Sequence, residues 1–556
     1  MKRPLKLVAI VVGSLLLLLI VAFVVLTLLF DPNQYKDTII EAVKAQTGRD
    51  IKIEKRIGWS IFPRIAVEAG GLELSNAPGF GKEPFVQIDA AGVALQLWPL
   101  LSGKVAVDTF YLHGLRLNLA KDAKGRNNWA DMAGASKPAP GPAPKAGKQA
   151  LPITGVSLGR IEVRSANIVW RDAAAGSTLQ VRNAELTTGR FAPNEPFDLK
   201  AALELVRDRA APIKTGIASR VTLAEDALTL DKLDLRVDEH RLSGRIDVSH
   251  FAQPSLRFEL ASDKLDLDKL MATTSGPAPA SGSAAPAGGQ QPVEIPIATL
   301  RSLDVQGRLR IASLKAMNLN ASEVQLPIIA KSGLITLGPS SAKLYGGTYQ
   351  GTTSLDARGK VLALNINEAV SAVNLAPLLK DMYGINAFHG RATANARLTG
   401  RGNDATAIRS TLTGDALFTV QDGTIKGVDL KKMADAAENA IKALRGKGSG
   451  DLGALIPAPG DETRFTRLGG TVQVTNGIAR NNDLALESPS LVRVQGKGSA
   501  DLVRETLDYR VTVGTVPILI KGPFTKLTYT PDVEAMATRA VERQIEKKLK
   551  ERFKLP

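Results

Sequence analysis

Four histidines, His113, His240, His250 and His389, and no cysteine set the first limit on the chemistry this chain can perform. The histidines lack metal-ligand spacing, and the missing thiols exclude disulfides, thiolate metal sites and cysteine nucleophiles. No HExxH, GxSxG or Walker phosphate loop occurs. Gly448-Ser449-Gly450-Asp451-Leu452-Gly453 matches GxGxxG in letters but follows a helical pattern instead of a strand, so it reads as a loop. Carboxylates are scattered along strand-like segments. A pair brought together from separate strands could still serve glycoside hydrolysis, which spacing along the chain does not exclude. The expectation is a non-enzymatic protein with no cofactor and no metal.

What remains is the chemistry of charge and apolar surface. Lys and Arg number 71 against 55 Asp and Glu, a net charge of +16. Such a balance suits a polyanion: nucleic acid, anionic lipid or lipopolysaccharide. Leu7 to Phe30 is uncharged. As a helix it would be about 36 Å long, enough to cross a hydrocarbon core of roughly 30 Å. A membrane segment argues against nucleic acid, and none is expected as a partner. Lys2, Arg3 and Lys6 precede the run and Asp31 follows it, which puts the N-terminus in the cytoplasm and the body outside. A cleaved signal peptide has a shorter apolar core and a small-x-small site, which Leu28-Leu29-Phe30-Asp31-Pro32 does not offer. The reading is a single-pass anchor.

The elements that follow are mostly strands. Residues 31–47 have helical spacing, with Gly48 as the stop. From Ile51 the period switches to two. Pairs such as Val105 and Val107, Leu115 and Leu117, Ile161 and Val163, and Leu484 and Leu486 recur at a spacing of two. The recurring unit reads as a strand of about five to eight residues and a Gly or Asn turn, as in Val474-Thr475-Asn476-Gly477 and Gln421-Asp422-Gly423. Helical stripes occur at 374–384, 429–445 and 532–553. Two Pro/Ala-rich stretches lack any period. The domain reading is a cytoplasmic tail 1–6, a transmembrane helix 7–30, an N-terminal β module 31–132 and a linker 133–150. A middle β module 151–271, a linker 272–292, a C-terminal β module 293–531 and a basic amphipathic helix 532–556 complete it.

Each alternating strand has one oily face, and that face must be covered. About three helices cannot cover roughly 30 strands. Either the sheets close on each other as sandwiches, which the pattern alone favours, or a sheet curls into a trough filled by lipid chains, toward which the anchor and the basic charge point. The fold class expected is mainly β: an elongated, curved antiparallel sheet forming a hydrophobic groove, with few helices and one transmembrane helix. Candidate groove residues are Val105, Val107, Leu115, Leu117, Ile161, Val163, Leu484 and Leu486. A one-residue slip would swap their faces. Arg543, Lys547, Lys548 and Lys550 on the last helix are candidates for contact with an anionic membrane surface, the plain alternative being a solvated helix face.

The first 132 residues resemble the N-terminal region of the AsmA family. The resemblance is carried by Asp31-Pro32-Asn33, Thr47-Gly48-Arg49, Gly58-Trp59-Ser60-Ile61-Phe62-Pro63, Asn76-Ala77-Pro78-Gly79-Phe80, Trp98-Pro99-Leu100-Leu101-Ser102-Gly103 and Gly125-Arg126-Asn127-Asn128-Trp129. In the C-terminal half it rests on Leu344-Tyr345-Gly346-Gly347-Thr348-Tyr349, Leu412-Thr413-Gly414-Asp415, Asp422-Gly423-Thr424-Ile425-Lys426-Gly427 and Phe465-Thr466-Arg467-Leu468-Gly469-Gly470. The resemblance implies an inner-membrane-anchored periplasmic protein of outer-membrane biogenesis, related to TamB-like and chorein-type β-groove proteins that pass phospholipid between membranes. It implies no catalytic residues, and assigns the quoted Gly and Asn positions to turns. The partners implied are the inner membrane, phospholipid and outer-membrane assembly factors. The rival reading is a non-transporting scaffold for outer-membrane protein or lipopolysaccharide assembly.

Overall fold

The computed structural model describes residues 31–60, 65–96, 107–130, 159–208, 210–274, 295–444 and 460–532, with isolated positions beside them. The anchor expected at 7–30 lies outside these residues, as do Val105 and the basic positions Arg543, Lys547, Lys548 and Lys550. Among the described residues no helix is long and apolar enough to cross a membrane. The chain divides into two compact units, residues 1–247 with 273–280, and residues 248–272 with 281–556.

In the first unit Asp31 caps a 3₁₀ turn, Pro32–Tyr35, by accepting from the Asn33 amide. Helix α1 (Lys36–Thr47) follows and stops at Gly48, whose φ of 70° suits a residue without Cβ. Strands β1 (Ile51–Ile53) and β2 (Gly58–Ser60) both pair with β3 (Ala66–Leu74), which is antiparallel to β4 (Val86–Leu95). Next, β5 (Val107–His113) and β6 (Arg116–Lys121) both lie against β4 and both run parallel to β7 (Arg160–Asp172). The strands β8 (Ser177–Thr188), β9 (Pro196–Arg207), β10 (Ile213–Leu223) and β11 (Ala227–Val237) continue as an antiparallel meander, followed by β12 (His240–Ser249).

In the second unit β13 (Ser255–Asp266) precedes α2 (Leu267–Thr274) and α3 (Ile297–Ser302), and is parallel to β14 (Asp304–Ala316). From there the strands are antiparallel neighbours in chain order: β15 (Leu319–Lys331), β16 (Leu334–Leu344), β17 (Gly347–Asp356) and β18 (Ala363–Asn374). Helix α4 (Leu375–Tyr383) leads to β19 (Phe388–Arg401), α5 (Ala405–Thr411) to β20 (Thr413–Lys426), and α6 (Leu430–Leu444) to β21 (Glu462–Thr475). The run ends with β22 (Ile478–Ser488), β23 (Leu491–Asp501), β24 (Thr506–Val513), β25 (Val516–Pro523) and β26 (Thr528–Pro531).

Parallel neighbours need a crossover of a dozen residues or more, whereas antiparallel ones need only a turn. The two Pro/Ala-rich stretches fall on the two parallel joints, within residues 122–159 and 267–303. The strands on either side of each stretch are hydrogen-bonded neighbours.

The expectation of strands of about five to eight residues is corrected: β19, β20 and β21 each have 14 residues. The reason is visible in the backbone. Where the apolar phase slips by one residue, a residue with positive φ sits inside the strand: Ser165 (55°) in β7, Asn183 (49°) in β8, Lys232 (50°) in β11, Glu323 (51°) in β15, Ala372 (53°) in β18 and Asp422 (49°) in β20. Each coincides with a shift in pairing register. These are β-bulges, which add a residue without ending the strand. Gln421-Asp422-Gly423, expected as a turn, is such a bulge inside β20, whereas Asn476-Gly477, with φ of 50° and 75°, is the hairpin turn expected.

The bulges keep the oily residues on one face. Strand β9 has no slip, so its Ala201 and Leu205 share a face; they pair Leu186 and Val181, which straddle the bulge of β8. Those in turn pair Val163 and Ile168 across the bulge of β7. In the second unit β17 has no slip, and its Tyr349, Thr353 and Leu355 pair Ala342, Leu337 and Ile335 of β16.

Candidate functional site

The residues with chemical potential are mostly spent on structure. His113 Nε2 lies 3.1 Å from Glu162 Oε1, and Arg164 Nε lies 2.9 Å from the same oxygen. Asp234 is gripped by Arg236 and Arg241, whose guanidinium groups hold its carboxyl below the usual range. Arg358 does the same to Asp356, down to about 2. Asp381 accepts from Tyr345 Oη at 2.6 Å and Asn320 Nδ2 at 2.8 Å, which pins the β16–β17 turn to α4. His240 is buried, and His389 Nε2 is buried without a hydrogen-bond partner among the described residues. Among the described residues no group of three or more His, Asp or Glu side chains could hold a metal ion. The GxGxxG match at 448–453 lies outside them.

Several motifs that carry the family resemblance meet in the first unit. Asn128 is fully buried. Its Oδ1 accepts from the Ala120 amide at 2.8 Å, and its Nδ2 donates to Asn118 O at 2.8 Å and Asn76 Oδ1 at 3.0 Å. Arg49, only 3% exposed, donates to Asn128 O, and its guanidinium lies 4.6 Å from the Phe85 ring centroid. Asn76 Nδ2 reaches Phe80 O and Glu83 O, both at 3.2 Å. The sequence reading assigned such Asn positions to turns. Asn76 does hold one, but Asn128 does more: its own hydrogen bonds and that from Arg49 join β6, the segment after α1 and the 76–83 loop. A buried amide with all its partners is worth more than a turn preference, because losing it strands several groups.

The surface left for function is the apolar face. In the first unit Ile161 pairs Phe110 and Val163 pairs Leu112, while Leu117 pairs Val86 and Ile168. Val107 pairs Leu95. Leu115 lies between β5 and β6, where its carbonyl accepts from the Asn167 amide at 2.7 Å. Phe110, Ile161 and Trp170 are 37%, 42% and 40% exposed, and Val107, Leu115, Leu117 and Val163 are half-buried. The same face continues through Leu179, Val181, Leu186, Leu199, Leu203, Leu205, Ile217 and Leu235, all half-buried. None of these eight was singled out as groove lining from sequence, although the phase slips at Ser165, Asn183 and Lys232 signal the face they share.

In the second unit the face has two parts. From β14 to β18, Leu309, Leu326, Ile328, Leu337, Leu355, Leu364 and Ile366 line up across the ladder and are all half-buried. From β20 to β25, Val420, Phe465, Leu486, Val494, Val511, Val513, Val516 and Ile518 are buried in one cluster with Leu430, Met433, Ala434 and Ala437 of α6. The stripe of α6 packs on the apolar face of these strands. Leu484 is half-buried against this cluster, and Leu486, 6% exposed, is inside it. The structure thus brings Ile161 and Val163 together on a face that no helix covers among the described residues and puts Leu486 under a helix.

The sequence profile of the AsmA family matches residues 1–204 and 203–484. The chain is 22% identical to Protein AsmA of Escherichia coli (strain K12), over 96% of this chain and 95% of that protein. No solved structure matches it. The motifs that converge on Asn128, the β-meander and the profile match over most of the length place the chain in the AsmA family.

Proposed function

We propose that this is a lipid-handling protein of outer-membrane biogenesis, anchored in the inner membrane by residues 7–30 with its N-terminus cytoplasmic and its body in the periplasm. The apolar face of the sheet is the floor of a groove. Phospholipid acyl chains lie on it and head groups stay in water. Each CH₂ so covered contributes about 0.8 kcal/mol. A floor of similar Leu, Ile and Val contacts has no deep well, so a chain can slide along it. The basic helix at 532–556, with Arg543, Lys547, Lys548 and Lys550, would rest on an anionic membrane surface.

The observation that carries this reading is the half-burial of the β14–β18 face, set against the full burial of the same kind of face under α6. A protein interior buries its large apolar side chains, and a contiguous uncovered apolar surface marks an interaction site.

The test is lipid content after purification. Ile366→Asp on β18 and Leu205→Asp on β9 each put a carboxylate on the floor. Phospholipid retained by the full-length protein, counted by native mass spectrometry, should fall several-fold with the melting temperature unchanged. Undiminished lipid in both folded variants would sink the groove. The scaffold reading is favoured by one observation, the helix-sealed end at β20–β25. It would be supported by a protein that carries no lipid.

A further inference from the structure

At the end of the second unit's sheet, below the sealed cluster, is a cavity of about 750 Å³. That is within the roughly 300–1,000 Å³ range of small-ligand sites. Its apolar wall includes Ile385, Phe388, Val428, Phe524, Leu527 and Tyr529. Val428 is 3% exposed and belongs to the α6 cluster, so the cavity backs onto that cluster through a filled wall. Two lysines, Lys426 and Lys526, are its charged lining residues, and no carboxylate lines it among the described residues. Both are exposed, and neither takes part in an ion pair among the described residues. The carboxylate opposite Lys426 in the ladder, Glu462, is taken by Arg464 at 2.6 Å. Elsewhere on this unit some charged groups are paired, as Lys343 with Glu323 and Arg391 with Asp422 are.

An apolar chamber with two uncommitted ammonium groups at its edge and no acid fits a molecule that is oily at one end and anionic at the other. We infer that this cavity is a docking site for one acyl chain of an anionic phospholipid, with Lys426 and Lys526 on its phosphate. The inference rests on the lipid-handling reading above and adds a place and a headgroup preference. On the uniform floor of β14–β18 no headgroup is selected. Here the two lysines discriminate, because a phosphate with a net negative charge gains two charge-assisted contacts that a neutral headgroup lacks. The site would hold a lipid at the end of the sheet while the floor lets lipids pass.

The experiment uses full-length protein in detergent with a photo-crosslinking amino acid at Leu527, in the cavity, or at Ile366, on the open floor. Each is irradiated with vesicles of radiolabelled phosphatidylglycerol, and separately with radiolabelled diacylglycerol. The expected result is phosphatidylglycerol label at both positions, with K426E/K526E lowering label at 527 about ten-fold and leaving 366 unchanged. Diacylglycerol should label 366 and hardly label 527. Label at 366 but not at 527 overturns the docking site and leaves the groove standing. Label at neither overturns both. Equal labelling of 527 by the two lipids overturns the headgroup preference. A crosslink from 527 to residues 533–556 of the same chain shows that the chain itself fills the cavity, which also overturns the site.

Discussion

Strands β14–β18 and strands β20–β25 are built alike. Both alternate Leu, Val or Ile with polar residues, and both carry bulges with a left-handed residue, Glu323 and Ala372 in the first set and Asp422 in the second. Yet Leu326, Leu337 and Ile366 are half-buried, while Val494, Val516 and Ile518 are 2%, 0% and 0% exposed. The difference is α6. Its Met433, Ala434 and Ala437 present one apolar stripe, and the apolar face of β20–β25 packs against it. Helix α4 has its own apolar stripe, but it sits at the ends of the strands and bonds the β16–β17 turn through Asp381. Closure is therefore not a property of the strand pattern. The fully buried face is the one on which a fifteen-residue helix, α6, packs.

The largest way to break this contrast is to charge both faces. Met433→Asp puts a carboxylate in a site 2% exposed and should cost about 3–5 kcal/mol, read as early loss of the cooperative melt. Ile366→Asp on the open face should cost within about 1 kcal/mol by the same measurement. Equal costs would mean that the β14–β18 face is covered after all. Asn128→Ala tests whether the joint in the first unit is structural. It leaves the Ala120 amide and the Asn118 carbonyl without their partner and should cost about 2–3 kcal/mol in a denaturant titration, with lipid content per folded molecule unchanged.

A smaller effect is expected at the bulges. Asp422→Val and Glu323→Val force a β-branched side chain into positive φ, at about 1–2 kcal/mol each, and Gly at either position should be neutral or mildly stabilising. If Val is tolerated at both, the left-handed residues are not what holds the phase. The smallest concerns Tyr349 on β17. Burial, and then the Glu368 carboxylate, pushes its phenol from 10.0 up to about 12. The folded state holds that proton more tightly than the unfolded one, so the contribution is complete below about pH 10 and lost between pH 10 and 12. Y349F should remove a phenolate absorbance step near pH 12 and lose less stability over that window than the parent.

Much of the fold could be read before any coordinates. The stop at Gly48, the helices near 375–383 and 430–444 and the Asn476-Gly477 turn follow from local chemistry and fall where expected. Other features were hidden for a physical reason. A bulge and a turn draw on the same residues, since both need a left-handed backbone, so Gln421-Asp422-Gly423 looks like the end of a strand when it is the middle of one. The same ambiguity shortened the expected strands. Leu484 and Leu486 illustrate a second limit. They share the spacing of two that Ile161 and Val163 have, and that spacing does not tell a half-buried face from a sealed one.

By itself the sequence determined that the body is made of strands with one oily side each, that its ionisable groups are not spaced for catalysis, and that charge and apolar surface are what it has to offer. Those are local properties, written in period, composition and spacing. Only the tertiary structure decided which residues share a face, because that depends on where single left-handed residues shift the register between neighbouring strands. It also decided which face is covered, because burial of Leu486 depends on a helix that is more than 40 residues away in the chain and reaches it only through folding.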